Sequence, residues 1–315
     1  MPHLTRRSVL QAGAASAAAG WTSSAQANLD PVVETTPIAP GIFVSTGLHE
    51  LSSPSNGGHI ANVSFVVGDA AVAVIDTGGS AGVGRALLGA IARTTDRPVR
   101  YVINTHMHPD HVFGNAALVG PQTTFVGHAK LPRALAARSE RYLSIGRQEL
   151  GPEAFAGTTI VVPTRLVDTS QTLDLGGRQL TLKARKTAHT DNDLTIRDEQ
   201  TGTVFLGDLL FSARIPTLDG SIKGWLQILA ELKNEPADRV VPGHGPPAMS
   251  WPDAMAAEDR YLETIAGDVR QLIKEGRSLT DAMRTAGLSE HDSWKLFNEF
   301  NARNVAAAFA ELEWE

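Results

Sequence analysis

Two successive runs of alternating strand and helix signals predict a layered α/β protein, with sheets covered by helices on their outer faces. The first run occupies about residues 60–148 and the second about 171–245. From Trp251 onward the pattern is helical only, which predicts a C-terminal helical extension over 251–315. Hydrophobic residues at 42% and charged residues at 20% exclude wholesale disorder.

Residues 1–27 stand apart from this pattern. Thr5-Arg6-Arg7 is followed by the alanine-rich stretch 12–20 and by Ala25-Gln26-Ala27, an A-x-A cleavage site. A basic start, a short apolar core and a small-residue cut site read as an export signal. The paired arginine resembles the twin-arginine type and places the mature chain in the periplasm. Arg6 and Arg7 are the only charges in this stretch, so removing it takes the net charge from −6 to −8. That balance argues against a nucleic-acid partner. No later apolar run approaches the ~20 residues that span a bilayer, so no transmembrane segment is expected.

Along the remainder, 60–67 and 71–75 are rich in β-formers, with Gly68-Asp69 as a hairpin signal. Ser80 can cap a helix running to about Arg93. The spacing of Gly79, Gly82 and Gly84 is not G-x-G-x-x-G, which disfavours a dinucleotide site. Strands follow at 99–103 and 123–126, then a helix over about 130–148. The second run predicts strands at 171–175, 179–183, 193–197 and 203–206, a helix at 224–232, and a strand at 239–241.

Cysteine is absent, which removes disulfides, thiolate metal sites and cysteine nucleophiles together. Chemistry must therefore come from elsewhere, and the ten histidines point to where. His106, His108, Asp110 and His111 stand together in T-H-M-H-P-D-H, directly after a strand. Four ligand-type side chains within six positions cannot share one face of a regular helix or strand, but a loop can converge them. Imidazole plus carboxylate suits zinc or a similar divalent ion. His189 lies before the strand at 193–197, Asp208 closes the strand at 203–206, and His244 sits between two glycines in Pro242-Gly243-His244-Gly245. The seven candidates suffice for two metals sharing one carboxylate.

In this order, Asp76, the His106–His111 cluster, His189, Asp208 and His244 resemble the metallo-β-lactamase-fold hydrolases over roughly residues 38–250. The resemblance implies a four-layer αβ/βα sandwich, with residues 28–250 as the domain and the C-terminal helices packed on it. It also implies that His106, His108 and His189 hold one zinc ion, that Asp110, His111 and His244 hold the second, and that Asp208 bridges them. Asp76 would orient the site from behind, or serve only as a turn carboxylate before Ser80. A narrower resemblance, to the quinoprotein-relay-system zinc hydrolases, rests on Arg214–Ser221 (R-I-P-T-L-D-G-S), Gly224-Trp225, Ile60-Ala61-Asn62 and the C-terminal E-L-E-W-E. It implies association with a periplasmic quinoprotein dehydrogenase.

Two divalent ions ~3.5–4 Å apart can share a hydroxide at neutral pH and polarise an acyl oxygen, which needs no serine or cysteine nucleophile. The expected function is a dinuclear zinc-dependent hydrolase of a small ester, thioester or lactone, with Asp110 also orienting the attacking hydroxide. Alternatives are a mononuclear iron persulfide dioxygenase and a non-catalytic metal-binding partner of a periplasmic dehydrogenase. The missing cysteine excludes the β-lactamases that use one as a ligand. Beyond the ligands, His59 falls in a loop that family members often place over the site, but reads more readily as a solvated loop residue. His128 reads as a helix-start or packing residue, and His49 and His291 as structural. Arg214, Lys223 and Trp225 read either as contacts for an anionic substrate or as an exposed basic pair and a core indole.

Overall fold

The computed structural model describes residues 31–315, and the expected export signal at 1–27 lies outside the described residues. The first sheet has seven strands in chain order: β1 (Thr36–Ala39), β2 (Ile42–Ser45), β3 (Val63–Val67), β4 (Val72–Ile75), β5 (Val99–Ile103), β6 (Thr124–His128) and β7 (Arg165–Val167). Pairing is antiparallel from β1 to β4 and parallel from β4 to β7. The parallel steps require crossovers, supplied by α1 (Ala81–Thr94), by the loop carrying the short α2 (Pro109–Val112), and by α3 (Leu131–Ala154). Ser80 caps α1 as its position predicts, its Oγ accepting from the Val83 N–H.

The second sheet runs β12-β11-β10-β9-β8, with β8 (Ser170–Asp174), β9 (Gln179–Ala184), β10 (Leu194–Asp198), β11 (Thr203–Phe211) and β12 (Arg239–His244). Between β11 and β12 runs α4 (Ile222–Leu232), and β12 is followed by α5 (Ala256–Lys274), α6 (Leu279–Thr285) and α7 (Phe297–Leu312).

Alternation of side chains along the strands builds the layers. In β4, Ala73 and Ile75 face the second sheet and join Leu182, Leu194, Ile196 and Phe205 in a core between the sheets. Val72 and Val74 face the other way and pack on Val83, Leu87 and Ile91 of α1. A third core joins Leu206, Leu209, Leu210 and Val240 to α4, α5, α6 and α7, including the fully buried Trp225 and Tyr261. The result is helix, sheet, sheet, helix, which is the four-layer αβ/βα sandwich with helices following it.

The C-terminal helices are tied to the loop after β11 by polar contacts as well as by packing. Asn304 of α7 accepts from the Leu218 N–H at 2.9 Å and donates to the Pro216 carbonyl at 2.7 Å. Glu311 accepts from Ser221 Oγ and the Ile222 N–H at 2.7 and 2.8 Å, placing a carboxylate at the α4 N-terminus, where the helix dipole favours it.

The strands missing from the sequence reading are β1, β2 and β7, which have four, four and three residues. Such short segments carry too few alternations to stand out. Strand β11 runs past the expected end at 206 as far as Phe211, because its pairing with β12 resumes after a register shift at Gly207. Helix α3 extends to Ala154 across a kink at Gly151, whose φ of 74° is not helical.

Candidate functional site

The ligand-type residues gather at one edge of the sandwich. His106, His108, Asp110 and His111 follow β5, His189 precedes β10, Asp208 lies within β11 and His244 ends β12. Two groups form, His106–His108–His189–Asp208 and Asp110–His111–His244, with the ligand atoms of each lying within 4.8 Å of one another. All seven residues predicted as ligands are therefore brought together. Asp208 touches both groups: its Oδ2 is 3.3 Å from His189 Nε2 and 3.5 Å from His244 Nε2, while its Oδ1 is 3.2 Å from His111 Nε2. Asp110 Oδ2 lies 3.3 Å from His244 Nε2.

Backbone geometry makes room for this convergence. Gly243 allows the close approach of β12, because a Cβ there would stand 1.9 Å from Asp208 Oδ1. Gly207, at φ 53°, turns β11 beneath the first histidine loop, where a Cβ would meet the Thr105 side chain at 2.7 Å. The loop itself is pinned by a buried amide pair. Asn104 and Asn115 exchange hydrogen bonds at 3.1 and 2.7 Å, and Thr77 donates to Asn115 Oδ1 at 2.9 Å.

Each of the five histidines has one ring nitrogen committed to an acceptor, which sets its tautomer. His111 Nδ1 donates to Asp76 Oδ2 at 2.8 Å. His106 Nδ1 donates to Thr105 Oγ1, whose own hydroxyl donates to Asp76 Oδ2 at 2.7 Å. His108 Nε2 donates to Asp219 Oδ2 at 3.0 Å, His189 Nδ1 to the Thr217 carbonyl at 2.6 Å, and His244 Nδ1 to the Ile60 carbonyl at 2.8 Å. The remaining nitrogens of His106, His108 and His189 carry lone pairs and point at one another: His189 Nε2 lies 3.0 Å from His108 Nδ1 and 3.2 Å from His106 Nε2. Three lone pairs this close repel unless a cation lies among them. His111 Nε2 and Asp208 Oδ1 are likewise buried without a hydrogen-bond partner. This donor set of imidazole nitrogens and carboxylate oxygens fits divalent metal ions.

The electrostatics point the same way. Burial, followed by the neighbouring His111, pushes His106 well below the usual histidine range, and burial takes His189 down to about 3. Burial opposes charge on Asp110 and Asp208, yet His111 and His244 hold both carboxyls well below the usual carboxylate range. His111 is the exception among the rings. Burial would lower it, but Asp208, Asp76 and Asp110 outweigh that and raise it well above normal. The neutral rings of His106 and His189 beside ionised Asp208 and Asp110 make a cradle for positive charge.

Asp76 orients the site rather than only closing a turn, since its carboxylate accepts from the Thr105 N–H, Thr105 Oγ1 and His111. Sequence reasoning did not single out Asp219 or Thr217 individually. Both lie in the string Arg214–Ser221, which thus supplies the acceptors for two rings. The Ile60-Ala61-Asn62 run acts at the other side. The Ile60 carbonyl holds His244, and Asn62 donates to the Pro242 and Gly245 carbonyls at 2.9 and 3.2 Å.

The other histidines stand apart from the cluster. His59 is buried with Nε2 3.3 Å from Ser45 Oγ, and burial pushes it down to about 4. It is Leu51, Ser52 and Ile60 of its loop that border the cleft over the site. His128 accepts from the Lys130 N–H at the start of α3, His49 keeps a buried Nδ1 without a partner, and His291 pairs with Asp292. Of the two readings of Arg214 and Lys223, the exposed basic pair does not hold. Lys223 is exposed and faces Glu315, whereas Arg214 is buried against the cleft because the loop after β11 folds under α7. Trp225 is a core indole whose ring edge meets His189 at 5.2 Å between centroids.

A family model described as the metallo-beta-lactamase superfamily matches residues 56–244, which include every ligand-type residue above. Among curated proteins, a linear primary-alkylsulfatase from Pseudomonas sp. is 25% identical over 218 residues, covering 55% of this chain and 39% of that protein. Among solved structures, a stereoselective inverting sec-alkylsulfatase from Pseudomonas sp. superposes with a TM-score of 0.68 at 15% identity, covering 88% of this chain and 50% of that one. A metallo-beta-lactamase from Pontibacter korlensis superposes with a TM-score of 0.59 at 20% identity, covering 73% and 99%. The structural matches carry the fold, and the chain spans half or less of the two alkylsulfatases.

The part played by Asp219 is open to direct measurement. Asp219→Ala frees His108 to rotate and change tautomer, and should weaken metal binding by about 10- to 100-fold in competition with a chelator. Asp219 is 25% exposed, so the circular dichroism spectrum should be unchanged. Wild-type metal affinity in this variant would show that His108 needs no such support.

Proposed function

Because the chain belongs to the metallo-β-lactamase superfamily, we propose that the clustered side chains are the centre of a dinuclear zinc-dependent hydrolase acting on an ester-, thioester- or lactone-type substrate. The observation that carries this reading is Asp208, a 3% exposed carboxylate within 3.2 to 3.6 Å of imidazoles from both ligand groups. His106, His108 and His189 would hold one ion, Asp110, His111 and His244 the other, and Asp208 both. A bound pair of divalent ions supplies Lewis acidity and a hydroxide at neutral pH.

The chain's own residues then have separable tasks. Asp208 places negative charge between the two cationic positions and lowers their mutual repulsion. Asp110 is the ligand-type carboxylate with partial exposure, at 17%, and it borders the cleft. Held ionised by His111 and His244, it can orient the attacking water by accepting a hydrogen bond from it. Phe211 stacks on His244 at 5.0 Å and Trp225 backs His189, so the apolar side of the centre excludes water. The two alkylsulfatase relatives add sulfate esters to the substrates worth assaying.

Export forms part of the same proposal. The Arg6-Arg7 pair and Ala25-Gln26-Ala27 support passage to the periplasm by the twin-arginine route, where a quinoprotein dehydrogenase would be the partner. Replacing Arg6 and Arg7 by lysine should hold the precursor in the cytoplasm. Normal export of that variant, together with dependence on the general secretion channel, would refute the route.

Elemental analysis of purified protein should give close to two zinc ions per chain, with turnover on a panel of carboxylic, thio-, lactone and sulfate esters. Asp208→Asn keeps the side-chain volume but removes a charge and a strong oxygen ligand. It should lose the weaker ion, and activity should fall by orders of magnitude. One iron without zinc would favour the dioxygenase alternative. Two zinc ions with no turnover on any ester would favour the non-catalytic one. Two metals at a near-normal rate in Asp208→Asn would remove Asp208 from its bridging role.

A further inference from the structure

The cleft over the metal-type cluster has a volume of about 630 Å³, and one of its walls carries an arginine that is not one of the ligand-type residues. Arg214 is 6% exposed, yet no carboxylate among the described residues lies within ion-pair distance of its guanidinium. Its Nε is buried without a hydrogen-bond partner. Its Nη1 lies 3.4 Å from His244 Nδ1, but that ring nitrogen already donates its proton to the Ile60 carbonyl and has no lone pair to offer. That ring therefore offers Arg214 no acceptor. Asp110 feels the positive charge of Arg214 but stands outside ion-pair distance and faces His111 and His244 instead. A buried guanidinium without a direct carboxylate partner is costly, so the arrangement suits an anion entering the cleft.

The chain conformation holds Arg214 in this state. Ala213 adopts φ 65°, a left-handed conformation unusual for a residue with a Cβ, and turns the backbone after β11 so that the next side chain enters the cleft. The turn is locked to the C-terminal extension, with the Lys295 N–H donating to the Ala213 carbonyl and the Ile215 N–H to the Lys295 carbonyl, at 2.8 and 3.1 Å. Phe300 of α7 lies under the guanidinium, 5.2 Å from Cζ to the ring centroid. Nearer the mouth, Arg138 of α3 and Arg303 of α7 line the same cleft. Both reach only Asp219, at 4.0 Å each, and that carboxylate is already engaged by His108. Arg138, Arg141, Arg214 and Arg303 line the cleft against Glu149, Asp219 and the ligand-type Asp110 and Asp208, so with the last two committed to the cluster the arginines outnumber the carboxylates left to face them. Leu51 and Ile145, which are 49% and 37% exposed, provide an apolar side to the same space.

We infer that Arg214, backed by Phe300 and flanked by Arg138 and Arg303, anchors an anionic group of the substrate, so that the C-terminal extension takes part in specificity. The ligand class is an oxyanion on an apolar body, since a planar guanidinium matches two oxygens of a carboxylate, sulfate or phosphate. The inference rests on the hydrolase reading for what happens at the metal centre, but the binding of the anion does not depend on turnover.

The test uses the zinc-loaded protein and its Arg214→Gln, Arg214→Lys and Arg303→Gln variants, each checked for metal content and melting temperature. Two aryl esters of matched shape, one carrying a carboxylate and one its neutral amide, are compared on the same preparation. The ratio of their kcat/KM values should favour the anion in the wild type. In Arg214→Gln it should fall by about 10- to 100-fold, mainly through KM, as expected for loss of a charge-assisted contact. Arg214→Lys should recover part of the ratio, and Arg303→Gln, whose residue is 60% exposed, should lower it less. Isothermal titration with benzoate and with inorganic sulfate provides the second readout, and the tighter of the two identifies the preferred oxyanion. Both should bind about tenfold more weakly to Arg214→Gln. An unchanged ester ratio, or equal anion affinity in wild type and Arg214→Gln, would overturn the inference. Absence of turnover on both esters, with the difference in anion affinity intact, would count against the hydrolase reading and leave the anion site standing.

Discussion

The arrangement depends on one unfavourable contact that the rest of the fold enforces: lone-pair-bearing nitrogens of His106, His108 and His189 held 3.0 to 3.2 Å apart around a buried carboxylate. Left alone, the rings would rotate apart or take up protons. They cannot rotate, because each opposite nitrogen is fixed by an acceptor, and burial disfavours protonation of His106 and His189. The energy for this comes from elsewhere in the molecule. The inter-sheet core brings the ends of β4, β5, β10, β11 and β12 to one edge, and close glycine contacts let β12 pass against Asp208. A cation relieves the repulsion at once, so folding pre-organises the site for one.

The acceptors that orient the rings come from distant parts of the chain. Asp76 follows β4, Ile60 precedes β3, and Thr217 and Asp219 lie on the loop that α7 clamps through Asn304. The C-terminal helices therefore act on the centre through the loop they hold. They also border the cleft directly through Phe300 and Arg303. A layered sandwich with helices behind one sheet thereby gains a second wall for its cleft, and that wall carries the arginines.

The sequence made the ligands legible because they sit in short strings after strands, and T-H-M-H-P-D-H is too dense in metal-type side chains to be an ordinary loop. The layered fold was legible for a related reason: strands such as β4 and β10 alternate or run apolar, and α1 carries its own cap. What stayed hidden depends on convergence rather than on spacing. Nothing near Asp219 in the chain announces that it will meet His108, 111 residues earlier. Arg214 and Lys223 look alike in the sequence, and only the turn at Ala213 separates a buried cation from an exposed one. Strand β11 looked finished at Leu206 because Gly207-Asp208 resembles a turn, whereas pairing with β12 resumes beyond it.

The central claim is that the two ligand groups hold two ions joined by Asp208, and anomalous diffraction at the zinc edge from crystals of the metal-loaded protein tests it most directly. The account predicts two peaks, one among His106, His108 and His189 and one among Asp110, His111 and His244, both in contact with Asp208. A single peak, or a second peak outside these side chains, would contradict it.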